Sequence, residues 1–136
     1  MNKNIIKLLR DAAKEIAEKY DLAFLAVFGS QATGKTHPQS DIDIAFSRDV
    51  PTSLKEEVAL AFDLSQIVKR EDIDLVNLSA APPLLLHCVS REGVVLFERE
   101  PGLFAEFQMY AFKRYIEAKP LFRLQRESLK KFTQRV

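Results

Sequence analysis

Hydrophobic positions along this chain repeat with two different periods, and the switches between them divide it into elements. Over residues 3–20, Ile5, Ile6, Leu9, Ala13, Ile16 and Ala17 recur at helical spacing with Lys and Glu between them. That spacing predicts an amphipathic helix. The run "LAFLAVF" (22–28) stops at Gly29 and reads as a buried strand. "QATGKTHPQS" (31–40) carries Gly34, Pro38 and small polar residues, so a loop, or one helical turn and then a loop, is expected. "DIDIAF" (41–46) alternates strictly, with Asp41, Asp43 and Ala45 on one face and Ile42, Ile44 and Phe46 on the other.

Pro51 and Ser53 open a helix reaching about Val68, with Leu54, Val58, Phe62 and Ile67 as its expected apolar stripe. Ser53 followed three residues later by Glu56 is the pattern of a capping box. "EDIDLVNL" (71–78) alternates again, placing Asp72, Asp74 and Val76 on one face and Ile73, Leu75 and Asn77 on the other. Pro82-Pro83 and Gly93 bound a further helix, "VVLFE" (94–98) is a last strand, and helical periodicity returns from Leu103 to about Lys131 with a break or kink expected at Pro120. This order predicts an α+β fold with an α/β-like pattern: a small mixed sheet flanked by helices. One domain over 1–136 is expected, with a core at about 20–98 and a C-terminal helical extension at about 102–132.

Composition narrows the partners. The whole chain carries a net charge of only +1, but residues 113–136 hold eight Lys or Arg against two Glu, which leaves the rest acidic. An acidic body with a basic tail follows, and a solvated helix face explains the tail as simply as a binding patch does. Cys88 is the single cysteine, so no disulfide within the chain can form. No stretch approaches the roughly 18 apolar residues of a membrane span. A cytoplasmic protein is expected.

The chemistry lies in the carboxylates. Burying an unpaired carboxylate is costly, so an inward-facing Asp on a strand needs a partner. Residues i and i+2 stand about 6–7 Å apart along a strand, close enough for Asp41 and Asp43 to converge on one cation. Oxygen-only sites suit Mg²⁺, which keeps waters and shares itself with substrate phosphates. Asp74, on the second alternating strand, can complete a site for two metal ions, whereas Asp72 reads as the polar face of an edge strand. Gly29-Ser30, ending a strand, can offer backbone N–H groups and a hydroxyl to a phosphate.

Gly29-Ser30, ten residues, and then Asp41-x-Asp43 resembles the signature of the nucleotidyltransferase superfamily that includes DNA polymerase β and the aminoglycoside nucleotidyltransferases. "SDIDIAF" and "IDLVNLSAAPPLLLHCVSREGVVLFE" are similar to the minimal nucleotidyltransferases (MNT proteins) of prokaryotes, over about residues 20–98. The resemblance implies that Gly29 and Ser30 hold nucleotide phosphates, that Asp41 and Asp43 ligate Mg²⁺, and that Asp74 binds metal or helps deprotonate the acceptor hydroxyl. Many relatives carry Arg after the Gly-Ser pair, where this chain has Gln31, and Lys35 is the nearest substitute for that charge. Many MNT proteins act as antitoxins that transfer AMP from ATP to a tyrosine of a HEPN ribonuclease. "RYIEAKP" (114–120) has an Arg but no following His, so the chain resembles the antitoxin half of such a pair. A small-molecule nucleotidyltransferase and an antitoxin acting by binding alone are the alternatives.

Other residues have plainer readings. His37 is a loop histidine, His87 a core or interface histidine, and Cys88 a small core residue. Phe104, Phe107, Tyr110, Phe112, Tyr115 and Phe122 are too many aromatics for one stripe, which adds a protein interface to the expected sheet packing. Direct nucleic-acid binding is not expected.

Overall fold

The computed structural model describes residues 2–29 and 41–134. Its elements are helix α1 (Asn2–Tyr20), strands β1 (Phe24–Phe28) and β2 (Ile42–Ser47), helix α2 (Leu54–Val68), strand β3 (Ile73–Asn77), a 3₁₀ turn (Leu78–Ala80), helix α3 (Pro83–Glu92), strand β4 (Val94–Glu98) and helix α4 (Leu103–Gln134). The strands form one mixed sheet in the order β3-β2-β1-β4. β1 runs antiparallel to β2 and to β4, while β2 and β3 run parallel, joined across the sheet by α2.

Alternation along the strands sends side chains into two separate cores. On one face Leu25, Val27, Ile42, Ile44, Phe46 and Leu96 pack under α1 and α2, meeting Leu9, Ala13 and Ile16 from α1 and Leu60 and Leu64 from α2. On the other face Phe24, Ala26, Phe28 and Ala45 pack under α3 and α4, meeting Leu86, Val89, Phe104 and Ala111. Phe104 stands edge-on to Phe24 at 5.3 Å, and Phe104 and Phe107 join this second layer as sheet packing predicts, whereas Tyr110 and Phe112 are exposed. The α1 stripe is as expected.

The α2 stripe is not. Leu54, Val58 and Phe62 are 75%, 60% and 61% exposed, whereas Leu60, Leu64 and Val68 are buried. The helix carries two i, i+4, i+8 apolar rows, and only one can face the sheet. The Leu60–Leu64–Val68 row, with Ile67 of the expected stripe beside it, packs against α1 and the sheet. Asp63 accepts hydrogen bonds from Lys19 (2.8 Å) and Tyr20 (2.5 Å) at the end of α1, which ties the two helices together. The Ser53 capping box forms as expected: Ser53 Oγ accepts from the Glu56 N–H and Glu56 Oε1 accepts from the Ser53 N–H, each at 3.1 Å.

Two boundaries also shift. β1 starts at Phe24 rather than residue 22, because Asp21 turns left-handed (φ 55°) and the Leu22 N–H closes α1 by donating to Ala17 O. α4 runs unbroken through Pro120. The carbonyl of Ile116 loses its N–H partner there, but Ile116 lies on an exposed part of the helix where water can replace the bond. No helix among the described residues is long and apolar enough to cross a membrane.

The corrected α2 orientation has a direct test. Leu64→Ala is expected to destabilise the protein by about 2–5 kcal/mol. Val58→Ala, on the outward row, is expected to stay within about 0.5 kcal/mol of the wild type. Chemical denaturation followed by circular dichroism measures both, and the opposite ranking would restore the sequence-based stripe.

Candidate active site

β2 and β3 place the carboxylates. Their parallel register sets Asp43 directly beside Asp74, Ile42 beside Ile73 and Ile44 beside Leu75. Period-two alternation then puts both Asp side chains on the face covered by α3 and α4, at the end of the sheet where β1 finishes. Asp41 lies just before β2 and is exposed, Asp43 is half-buried, and Asp74 is exposed. The structure thus brings Asp43 and Asp74 together, with Asp41 close enough for its charge to act on Asp43.

Gly29 completes this sheet end. It follows Phe28, the partner of Asp43 across the antiparallel β1–β2 pair. Its φ of +72° is left-handed, and a Cβ built there would collide with Asp43 Oδ2 and stand 3.2 Å from Cγ. Both observations require glycine: the turn needs a residue free to adopt that φ, and the Asp43 carboxylate occupies the space of a side chain. Ser30, together with Gln31, Lys35 and His37, lies outside the described residues.

Among the described residues the site gathers negative charge. The Asp43 carboxyl is pushed up from its ordinary value to about 6, first by burial, then by the charges of Asp74 and Asp41, a hydrogen bond shared with Asp74, and the charge of Glu92. Among the described residues no Lys, Arg or His forms an ion pair with these carboxylates. Asp72 differs. Arg70 grips it through two hydrogen bonds, the one from Nε at 2.9 Å, and holds its carboxyl below the usual range. Asp72 is therefore the neutralised edge residue that the sequence suggests.

Do these residues fit a divalent cation? The donors are hard oxygens, the crowding of Asp43 is relieved by added positive charge, and the missing Cβ at Gly29 leaves the carboxylate uncovered on that side. No group of three or more His, Cys, Asp or Glu among the described residues is arranged to hold a metal ion by itself. A pair of carboxylates whose remaining ligands come from water and substrate phosphate suits Mg²⁺ better than an all-protein cage.

Glu92 is the site neighbour that sequence reading passes over. It ends α3, far along the chain from the Asp-x-Asp strand, and only its spacing of four from Cys88 could have marked it. The Cys88 thiol donates to Glu92 Oε2 at 3.3 Å. Burial, then Glu92 and Asp43, push that thiol up, so Cys88 stays protonated. His87 stacks on Tyr115 at 3.8 Å, as expected of a core or interface histidine. A cleft of about 370 Å³, lined by Phe24, Ser47, Asp49, Phe107 and Tyr110 among others, opens at the opposite strand ends, away from the carboxylates.

The raised Asp43 carboxyl predicts a pH signature. A carboxyl raised in the folded state adds stability while protonated and loses that contribution as pH rises through about 6. In metal-free protein, Asp43→Asn is expected to raise thermal stability above pH 6. The gain should shrink as pH falls through that range and vanish near pH 4, where Asp43 is neutral in folded and unfolded chains alike. Melting temperatures of both proteins across this range check it, and a pH-independent difference would contradict it.

Residues 11–102 match the family described as "Polymerase beta, Nucleotidyltransferase". The protein adenylyltransferase MntA of Aphanizomenon flos-aquae is 30% identical over 123 residues, spanning 84% of this chain and 82% of that protein. Among solved structures, a toxin–antitoxin complex with AMP-PNP superposes with a TM-score of 0.78 at 22% identity, covering 89% of this chain and 98% of that one. A complex of a tri-AMPylated Shewanella oneidensis HEPN toxin with its MNT antitoxin gives 0.74 at 20% identity, covering 92% and 98%. At those identities the structures speak for the fold alone. The family match spans the whole carboxylate site, from β1 through β4, and the chain belongs to the polymerase β nucleotidyltransferase family.

Proposed function

We propose that this protein is a Mg²⁺-dependent adenylyltransferase that moves AMP from ATP to a tyrosine hydroxyl of a HEPN ribonuclease and so serves as its antitoxin. The observation that carries this reading is the in-register Asp43–Asp74 pair, without an ion-pair partner among the described residues and packed against the bare Cα of Gly29, in a chain of nucleotidyltransferase family. The MntA relative named a protein adenylyltransferase supports transfer to protein. The HEPN toxin and AMP-PNP complexes support the partner and the nucleotide.

Each residue then has a task. Asp41 and Asp43 would hold Mg²⁺, with Asp74 as a further ligand or as a base for the acceptor. The cation supplies positive charge against the triphosphate oxygens as they gain charge. Gly29 lets the phosphates approach the end of β1, and Ser30 is assigned their hydroxyl donor. Asp43 and Asp74, fixed by strand pairing, orient what binds between them, and positioning of this kind accounts for much of the rate in phosphoryl and nucleotidyl transfer. The acceptor oxygen bonds to the α-phosphorus as pyrophosphate departs.

The experiment is incubation of the protein with labelled ATP, Mg²⁺ and a purified HEPN protein encoded beside it. Label is expected on a tyrosine of the partner and is expected to disappear in Asp41→Asn/Asp43→Asn. Neutralisation that survives the double change with no label anywhere would make the protein an antitoxin by binding alone. Label on an aminoglycoside instead of the partner would make it a small-molecule enzyme.

A further inference from the structure

Three features converge on Glu92. The first is placement. α3 covers the sheet face that carries Asp43, since its Leu86 and Val89 share a core with Ala26 and Ala45. Glu92 closes α3 two residues before Val94, and Val94 pairs with Val27, two residues before Gly29. The last turn of α3 therefore reaches the sheet end that holds Gly29 and Asp43. The second is aim. The Cys88 thiol, one turn earlier and packed against that same core, donates to Glu92 Oε2 at 3.3 Å and orients the carboxylate.

The third is cost. A carboxylate in the last turn of a helix opposes the helix dipole. Glu92 bears this penalty beside a half-buried like-charged Asp43, and among the described residues no basic side chain forms an ion pair with it. Among the described residues the charged or titratable groups that meet it are Cys88 on α3, itself beside Arg91, and Asp43 on β2, the last flanked by Asp41 and by Asp74 on β3.

We propose that Glu92 is a further catalytic residue of this site, the base that takes the proton from the attacking hydroxyl. The inference rests on the reading of the site as one of AMP transfer to a protein hydroxyl. Asp43 and Asp74 stand side by side and are suited to share a cation, which leaves the carboxylate hung from α3 to face the acceptor. In the step, the acceptor O–H bond breaks and its proton passes to a Glu92 carboxylate oxygen. The freed oxygen bonds to the α-phosphorus. The bond from that phosphorus to the bridging oxygen of the β-phosphate breaks, and pyrophosphate leaves with the electron pair.

The test compares wild type, Glu92→Gln and Glu92→Asp in steady-state transfer to the HEPN partner, with Mg²⁺ binding measured separately by calorimetry and folding by thermal melting. Glu92→Gln is expected to lower kcat about 100-fold, the lower end of general-base effects. The KM for ATP and the Mg²⁺ affinity should stay unchanged, and Glu92→Asp should fall between Gln and wild type. A kcat for Glu92→Gln close to wild type overturns the inference, and so does weakened Mg²⁺ binding, which would make Glu92 a metal ligand. Should Glu92→Gln not fold, Glu92→Asp decides: its shorter carboxylate is expected to lower kcat at constant KM, and an unchanged kcat overturns the inference. A wild type that transfers no AMP overturns it together with the reading beneath it. An active wild type with an unimpaired Glu92→Gln overturns it alone.

Discussion

Two carboxylates held side by side by strand register, with no cation among the described residues to offset them, set the terms for the rest of this fold. Asp43 and Asp74 are neighbours because β2 and β3 run parallel in one particular register. A slip of β2 by one residue would turn Asp43 away from Asp74 and onto the α1/α2 core, beside Leu60 and Leu64. The hydrophobic pattern of β2 prevents that slip. Ile42, Ile44 and Phe46 are completely buried on the opposite face, so the strand cannot rotate without exposing them. The core thus offsets the cost of holding the carboxylates together, and burial and the neighbouring charges push the Asp43 carboxyl up.

The same constraint explains the backbone beside it. Any residue but glycine at position 29 would put a Cβ into the space of the Asp43 carboxylate. The left-handed φ of Gly29 also turns the chain at the point where β1 must end. One residue choice therefore serves two demands, a turn and a clearance. On the far flank, α3 begins at Pro83 and ends at Glu92, one residue before β4. This short helix spans the sheet face and arrives at the carboxylates, bounded by the proline that starts it and the glycine that follows it.

Much of this was legible in the sequence, for identifiable reasons. Period-two alternation in "DIDIAF" and "EDIDLVNL" assigned Asp43 and Asp74 to the correct face without knowledge of the fold, because strand geometry is local. Their adjacency was not local. It depends on β2 pairing with β3 across the α2 crossover; the carboxylate pattern allows Asp74 to complete the site, and the resemblance to nucleotidyltransferases adds the reason to expect it. Of the expected α2 stripe only Ile67 packs on the core, because the helix offers two apolar rows of equal spacing and the choice between them rests on packing against α1 and the sheet, which are remote in sequence. A break or kink is expected at Pro120 on intrinsic preference; the helix does not break there, because its exposed turn lets water reach the freed carbonyl. Glu92 left no local mark, since a Glu near a helix end is ordinary until the sheet brings it to Asp43.

Asp72 and Asp74 show how finely charge is distributed on one strand. The two share a face and a pattern, yet Arg70 neutralises Asp72 while no basic side chain among the described residues pairs with Asp74. The local chain decides this: Arg70 lies two residues before Asp72 and forms its ion pair within the turn that precedes β3. Had the guanidinium reached one strand period further, it would have paired with Asp74 and relieved Asp43, leaving little electrostatic reason to recruit a cation. A nucleotide site of this kind needs carboxylates that are poorly satisfied in the free protein, because charge already balanced by the chain is not available to a metal or a substrate. The Arg70–Asp72 pair keeps the edge strand's remaining acid out of that balance. It confines the unsatisfied charge to the sheet end where Gly29 leaves room for it.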